Sequence, residues 1–242
     1  KADSMLTPLG TTLVDPYAGW SAERIRQMFG YAELSPTEPV EAGEFGSWEV
    51  TYHVGEYGLS RRARVAMPFK SVSNWGEFQA GDPSADNYFS AESSRPDVPV
   101  RLLVEYPFSA LWAWSHAITA VPALPLGPGD WIRFKLGDRS AGSRGWRAQL
   151  FAEEAHQWSV WVDPLGGRHY VQVPGLPAVA VVAGPAARLI LTAPAMVAPG
   201  ERGWLSVRLV DRLNNTATGF RGAVRLQAAP GVSGLPEAVE LG

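Results

Sequence analysis

The sequence predicts an all-β fold: a β-sandwich followed by a second, incomplete β domain, with one short helix near the N-terminus. Three observations carry this. Short stretches alternate apolar and polar residues with period two, the pattern of half-buried strands. The 242 residues include 25 glycines and 20 prolines, which favour turns over long helices. Turn signals recur about every ten residues, the spacing of a sandwich.

Residues 1–30 read as an irregular arm and a helix. Pro8 and Pro16 interrupt any period in residues 1–19. Ser21 then offers an N-cap, Glu23 sits in the first turn, Ile25, Met28 and Phe29 share a face, and Gly30 supplies the stop. A helix is therefore expected over 21–29. Strands are expected over 48–54, 62–69, 87–91, 100–105, 112–121, 131–136, 157–162 and 169–173. Residues 73–83 are a polar loop studded with aromatics. The clearest strand places Ile132, Phe134 and Leu136 on one side and Trp131, Arg133 and Lys135 on the other. A glycine-rich loop over 137–145 follows, and then Trp146, Ala148 and Leu150 alternate again, so this stretch reads as strand, long loop, strand.

Apolar residues 179–183, bracketed by Pro177, Gly184 and Pro185, mark a boundary between two β domains, 31–183 and 184–242. In the second, strands are expected over 188–192, 203–210 and 223–227, with Asp211-Arg212-Leu213-Asn214-Asn215 as an Asn-rich turn. This domain is well short of the ~100 residues of a complete immunoglobulin-like sandwich, so it reads as truncated.

Composition limits the function classes. A formal net charge of -3 supplies no basic stripe for nucleic acid. With no cysteine there are neither disulfides nor thiolate metal sites. No window approaches the ~18 apolar residues of a membrane span. Lys1 in place of Met reads as a processed or recombinant fragment. Localisation stays open between cytoplasmic and, if a signal peptide was removed, exported.

Few residues have the spacing of catalytic machinery. His53, His116, His156 and His169 are scattered. Glu153-Glu154-Ala155-His156 comes nearest to a ligand pattern, but it lacks further ligands and reads as a solvated turn. Ser115 and His116 are strand neighbours that face opposite sides, and no Gly-x-Ser-x-Gly elbow is present. The chain alone is expected to be catalytically silent, with no metal and no cofactor. The ten tryptophans admit two readings. Trp112 and Trp114 on one strand face, Trp75 in its loop, and Trp146 with Trp131 as partner either pack the core or stack on a saccharide. The 137–145 loop also admits two. Asp138, Arg139 and Arg144, with Arg147 beyond it, either contact a small anionic ligand or another domain, or brace the loop by ion pairs.

A resemblance adds to this. Pro39-Val40-Glu41-Ala42-Gly43, Trp48-Glu49-Val50-Thr51-Tyr52, Asn74-Trp75-Gly76, Asp82-Pro83, Asn87-Tyr88, Gly137-Asp138-Arg139, Gly145-Trp146-Arg147-Ala148-Gln149 and Val162-Asp163 resemble the N-terminal β-rich region of the bacterial domain-of-unknown-function family numbered 3604. Gly184-Pro185-Ala186, Pro199-Gly200-Glu201 and Asp211 with Asn214-Asn215 resemble the immunoglobulin-like module that follows it. The resemblance covers roughly residues 28–228. It implies that this chain is the non-catalytic leading region of a larger protein. The C-terminal part of that protein, its expected partner, resembles a metal-dependent hydrolase opening on a Gly-Asp-x-His metal motif. No stretch here matches that motif. Two function classes follow: an accessory β-sandwich region packed on a hydrolase, or a stand-alone module for a carbohydrate or other surface ligand.

Overall fold

The computed structural model describes residues 5–6, 12–13, 17, 19–70, 72–105, 114–175 and 177–241, with the backbone alone at 5–6, 12–13 and 114–115. Its elements in chain order are β1 (Met5–Leu6), β2 (Thr12–Leu13), α1 (Ala22–Phe29), β3 (Tyr31–Ser35), β4 (Val40–Glu41), β5 (Phe45–Gly46), β6 (Trp48–His53), β7 (Arg64–Lys70), β8 (Phe89–Ser93) and β9 (Val100–Glu105). Then come β10 (Trp114–Pro122), β11 (Trp131–Leu136), β12 (Trp146–Arg147), β13 (Glu153–Gln157), β14 (Trp161–Asp163), β15 (Val171–Gln172) and β16 (Ala178–Val182). The last four are β17 (Arg188–Thr192), β18 (Ser206–Val210), β19 (Gly222–Arg225) and β20 (Ala238–Leu241). The fold is all-β.

The expected helix forms for the expected reasons. The Ser21 hydroxyl accepts from the Arg24 N–H at 3.2 Å, and Gly30 closes α1 at φ +91° by donating its N–H to the Arg26 carbonyl. Its apolar face is Phe29, buried, with Ile25 and Met28 packed against the core.

Two antiparallel sheets sandwich that core, one in the order β15-β14-β7-β10-β9 and one in the order β3-β6-β11-β8. Ile132, Phe134 and Leu136 of β11 point inward beside Trp48, Val50 and Tyr52 of β6. They meet Val65, Met67 and Phe69 of β7 and Ile118 and Ala120 of β10. The other side of β11 faces outward, as the alternation requires. There Lys135 pairs with Glu92 at 2.8 Å, and Arg133 lies between Glu49 and Glu92. The five-stranded sheet is buried on both faces around β7 and β10, since Ala66, Ala117 and Thr119 are also inaccessible. Thr119 survives there because its hydroxyl donates to Glu105 at 2.6 Å, a carboxylate that also takes Arg64 and the Tyr170 hydroxyl.

Several expectations are corrected. The strand expected after the 137–145 loop, over 146–151, is confined to Trp146–Arg147. This two-residue β12 pairs with β5, and Ala148 continues the contact by donating its N–H to the Glu44 carbonyl. Trp131 and Trp146 are not partners. Trp131 lies on the outer face under the Arg133 guanidinium, whereas Trp146 is fully buried. The expected strand over 157–162 is two strands. Between them Trp158 is buried and donates its N–H to the Pro177 carbonyl, so its partner lies on a different segment. Glu153–Gln157 is a strand with a register shift, not a turn. It pairs with β16, which pairs in parallel with β4.

Beyond β16, two antiparallel ribbons follow, β17 with β18 and β19 with β20. β20 was not foreseeable from a run so short. No helix among the described residues is long and apolar enough to cross a membrane.

Tyr52 ties the helix to the core. Its buried hydroxyl donates to the Phe29 carbonyl at 2.6 Å, and burial pushes its pKa well up, so it stays protonated. Tyr52→Phe is expected to lower unfolding free energy by about 1–2 kcal/mol, because a buried carbonyl loses its donor. Urea denaturation with an unchanged slope checks this.

Candidate functional site

The chemistry-bearing residues gather at one end of the sandwich and along one side of it. At the end, an aromatic cluster is built by residues far apart in sequence. Trp146 meets Trp75 at 4.4 Å between ring centroids, Phe89 at 4.9 Å and Phe69 at 5.7 Å. Trp48 and Trp158 complete the ring around it. The Trp146 indole N–H donates to the Gly76 carbonyl at 2.7 Å, which pins the 73–83 loop. Trp75 therefore lies in a loop, as expected, yet is only 8% exposed. Trp112 lies outside the described residues, as does the side chain of Trp114.

In front of this cluster is a cavity of about 510 Å³, lined by Phe69, Trp75, Phe78, Trp146, Glu77 and His116 among others. His116 stacks on Phe69 at 5.4 Å and lies 5.2 Å from Phe78. Burial pulls its pKa below the ordinary histidine value, and the Glu77 charge only partly opposes that. The imidazole is thus neutral in the folded state at neutral pH. Sequence spacing does not single out Phe69, Glu77 or Phe78, because they meet only when β7, the 73–83 loop and β10 close together.

Behind Trp75 lies a half-buried polar group. The Glu153 carboxylate accepts from Gln149 Nε2 at 3.0 Å and from Lys70 Nζ at 3.3 Å, and bonds His156 Nδ1 at 2.8 Å. Burial opposes the charge on Glu153, but these partners outweigh it and hold its pKa below the usual carboxylate value. His156 is 2% exposed, between Trp75 and Trp158. Burial lowers its pKa despite the Glu153 bond.

The 137–145 loop is tied down at every charged residue. Gly137 and Gly145 hold its ends at φ +73° and +108°, and a Cβ on either would collide with backbone of the loop or of Gly46. Asp138 accepts from the Ser90 hydroxyl and from the Ser140 N–H, and these bonds lower its pKa against the effect of burial. Arg139 donates to the Phe45 carbonyl at 2.8 Å. Arg144 makes a forked pair with Asp86 and lies over the Phe45 ring. Arg147 donates to the Asn74 and Ala148 carbonyls. Arg144 keeps the most accessible side chain of its ion pair, 67% exposed.

The Asn-rich turn does more than turn the chain. Asp211 is 1% exposed. Its carboxylate accepts from the N–H groups of Leu213, Asn215 and Gly184 and from the Asn215 amide. Burial works against the charge, yet these donors hold the Asp211 pKa below the usual value. Asn215 then reaches into the sandwich, donating to the Leu150 carbonyl and accepting from the Ala152 N–H at 2.8 Å. Arg212 pairs with Glu44 at 2.7 Å, and Leu213 packs on the core. Asparagines in a turn signal αL backbone, which Asn214 adopts at φ +74°, but nothing local signals the docking.

No group of three or more His, Asp or Glu side chains among the described residues is placed to hold a metal. No protein-family model matches the chain, and a search of the curated proteins finds no match.

The two depressed histidines set a pH dependence. A histidine with a folded pKa below its unfolded value stabilises the fold above the unfolded value, about 6.5, and that stability is lost as pH falls through the folded value. The melting temperature is expected to hold between about pH 7 and 8 and to fall below about 6.5, with His116→Phe removing part of the fall. Thermal denaturation across pH checks this, and a melting temperature that rises on acidification would contradict it.

Proposed function

We propose that this chain is a non-catalytic accessory β region of a larger protein, working by the surfaces it presents to a neighbouring part of the same polypeptide. The observation that carries this reading is the Asp211 joint. A carboxylate buried with four donors braces the 211–215 turn at the end of β18, and Asn215, Arg212 and Leu213 of that turn bond or pack on the sandwich, which gives the ribbon β17–β18 one position on it. Leu189 and Leu191 of β17, and Trp204 and Leu205 just before β18, are exposed. Exposed apolar surface held in a fixed position suits a packing partner. The resemblance names the partner's class, a region like a metal-dependent hydrolase.

The acid–base pair best placed for chemistry is committed to structure. Glu153 is shared among Lys70, Gln149 and His156, and His156 is enclosed by indoles, so no substrate reaches its ring. A general base must come within hydrogen-bond reach of the proton it takes.

The purified chain is expected to show no turnover of ester, phosphodiester or amide substrates, with or without added zinc, manganese or magnesium. Metal-stimulated turnover abolished by His156→Gln would contradict the proposal. In the longer protein, Leu191→Lys with Trp204→Lys is expected to loosen the packing of the following region, read as increased proteolysis there, while the melting temperature of this chain alone is unchanged.

A further inference from the structure

We propose that the cavity between Phe69, Trp75, Phe78 and His116 is a binding site for a neutral polyhydroxylated ring, a saccharide unit. This goes beyond the accessory reading and does not depend on it. The volume, about 510 Å³, lies within the range of small-molecule sites. Three features of the lining select the ligand class.

The first is its apolar surface. Phe69, Trp75 and Phe78 offer aromatic carbon, and the C–H face of a sugar ring is a flat apolar partner for it. The second is its polar inventory. Glu77 presents a carboxylate, which accepts hydrogen bonds and donates none. His116, neutral in the fold, carries a donor and an acceptor on one ring. A hydroxyl donates and accepts at once, so adjacent hydroxyls of one ring suit both Glu77 and His116. The third feature is charge. Neither Lys nor Arg is among the described residues that line the cavity, so a phosphate or carboxylate there would meet Glu77 uncompensated. The small anionic ligand that the arginines of the 137–145 loop bring to mind is thus disfavoured here.

The test is NMR titration of the whole chain with glucose, galactose, N-acetylglucosamine and cellobiose, and with inorganic phosphate as the anionic probe. At least one saccharide is expected to shift the Trp75 indole N–H and the His116 ring resonances saturably. Glu77→Gln, a change at an exposed side chain, is expected to weaken that binding about fivefold, because a charged acceptor becomes a neutral one. Two results would overturn the proposal. One is that no saccharide moves these resonances at tens of millimolar. The other is that phosphate moves them more tightly than any sugar does.

Discussion

The burial of the Trp146 indole is the constraint on which most of this structure depends. The residue is inaccessible, and its ring touches side chains from β6, β7, β8 and the 73–83 loop. Truncation of a buried tryptophan of this kind costs about 3–5 kcal/mol, a large share of the stability of any domain. Its position dictates the backbone around it. The chain must approach closely enough that Gly137 and Gly145 leave no room for a Cβ, and that closeness fixes the ends of the loop between them. The indole N–H fixes Gly76, which sets Trp75 and Glu77 at the mouth of the cavity. Core, loop and cavity are therefore consequences of one side chain finding its place.

The second constraint is electrostatic. Asp163 and Asp211 place carboxylates where water scarcely reaches, Glu153 places one at a half-buried site, and each is met by several donors. At Asp163 the donors are the N–H groups of Gly166, Gly167 and Arg168, which close a tight loop beside β14. At Asp211 the same device braces the turn whose Asn215 bonds the sandwich at Leu150 and Ala152. Burial without such donors would cost several kcal/mol per ion, so these carboxylates specify their surroundings as much as they stabilise them.

What was legible in the sequence follows from which forces are local. Period-two alternation located β11 to the residue, because one face of that strand meets the core and the other does not. The Ser21 cap and the Gly30 stop act within one turn, so the helix was legible too. Of the 146–151 stretch only Trp146–Arg147 is strand, because alternation states that a strand can form, not how far a partner runs beside it. Here the glycines at 137 and 145 turn the chain away from β11 and towards β5. Residues 157–162 show the same limit, since Trp158 is held by a carbonyl on the segment before β16. The site was less legible than the fold. Charge on the 137–145 loop was visible, but its partners Asp86, Ser90 and Phe45 lie on remote segments, and the joint at Asp211 reads locally as an ordinary turn.

On this account the sandwich and the ribbon β17–β18 are one mechanical body, joined through the turn that Asp211 braces and Asn215 anchors. Backbone nitrogen-15 relaxation tests this directly. The amides of β6, β7 and β11 and those of β17 and β18 are predicted to report one common rotational correlation time, and Asp211→Ala is predicted to shorten it for the ribbon alone. A shorter correlation time for β17 and β18 already in the unmodified chain would contradict the account.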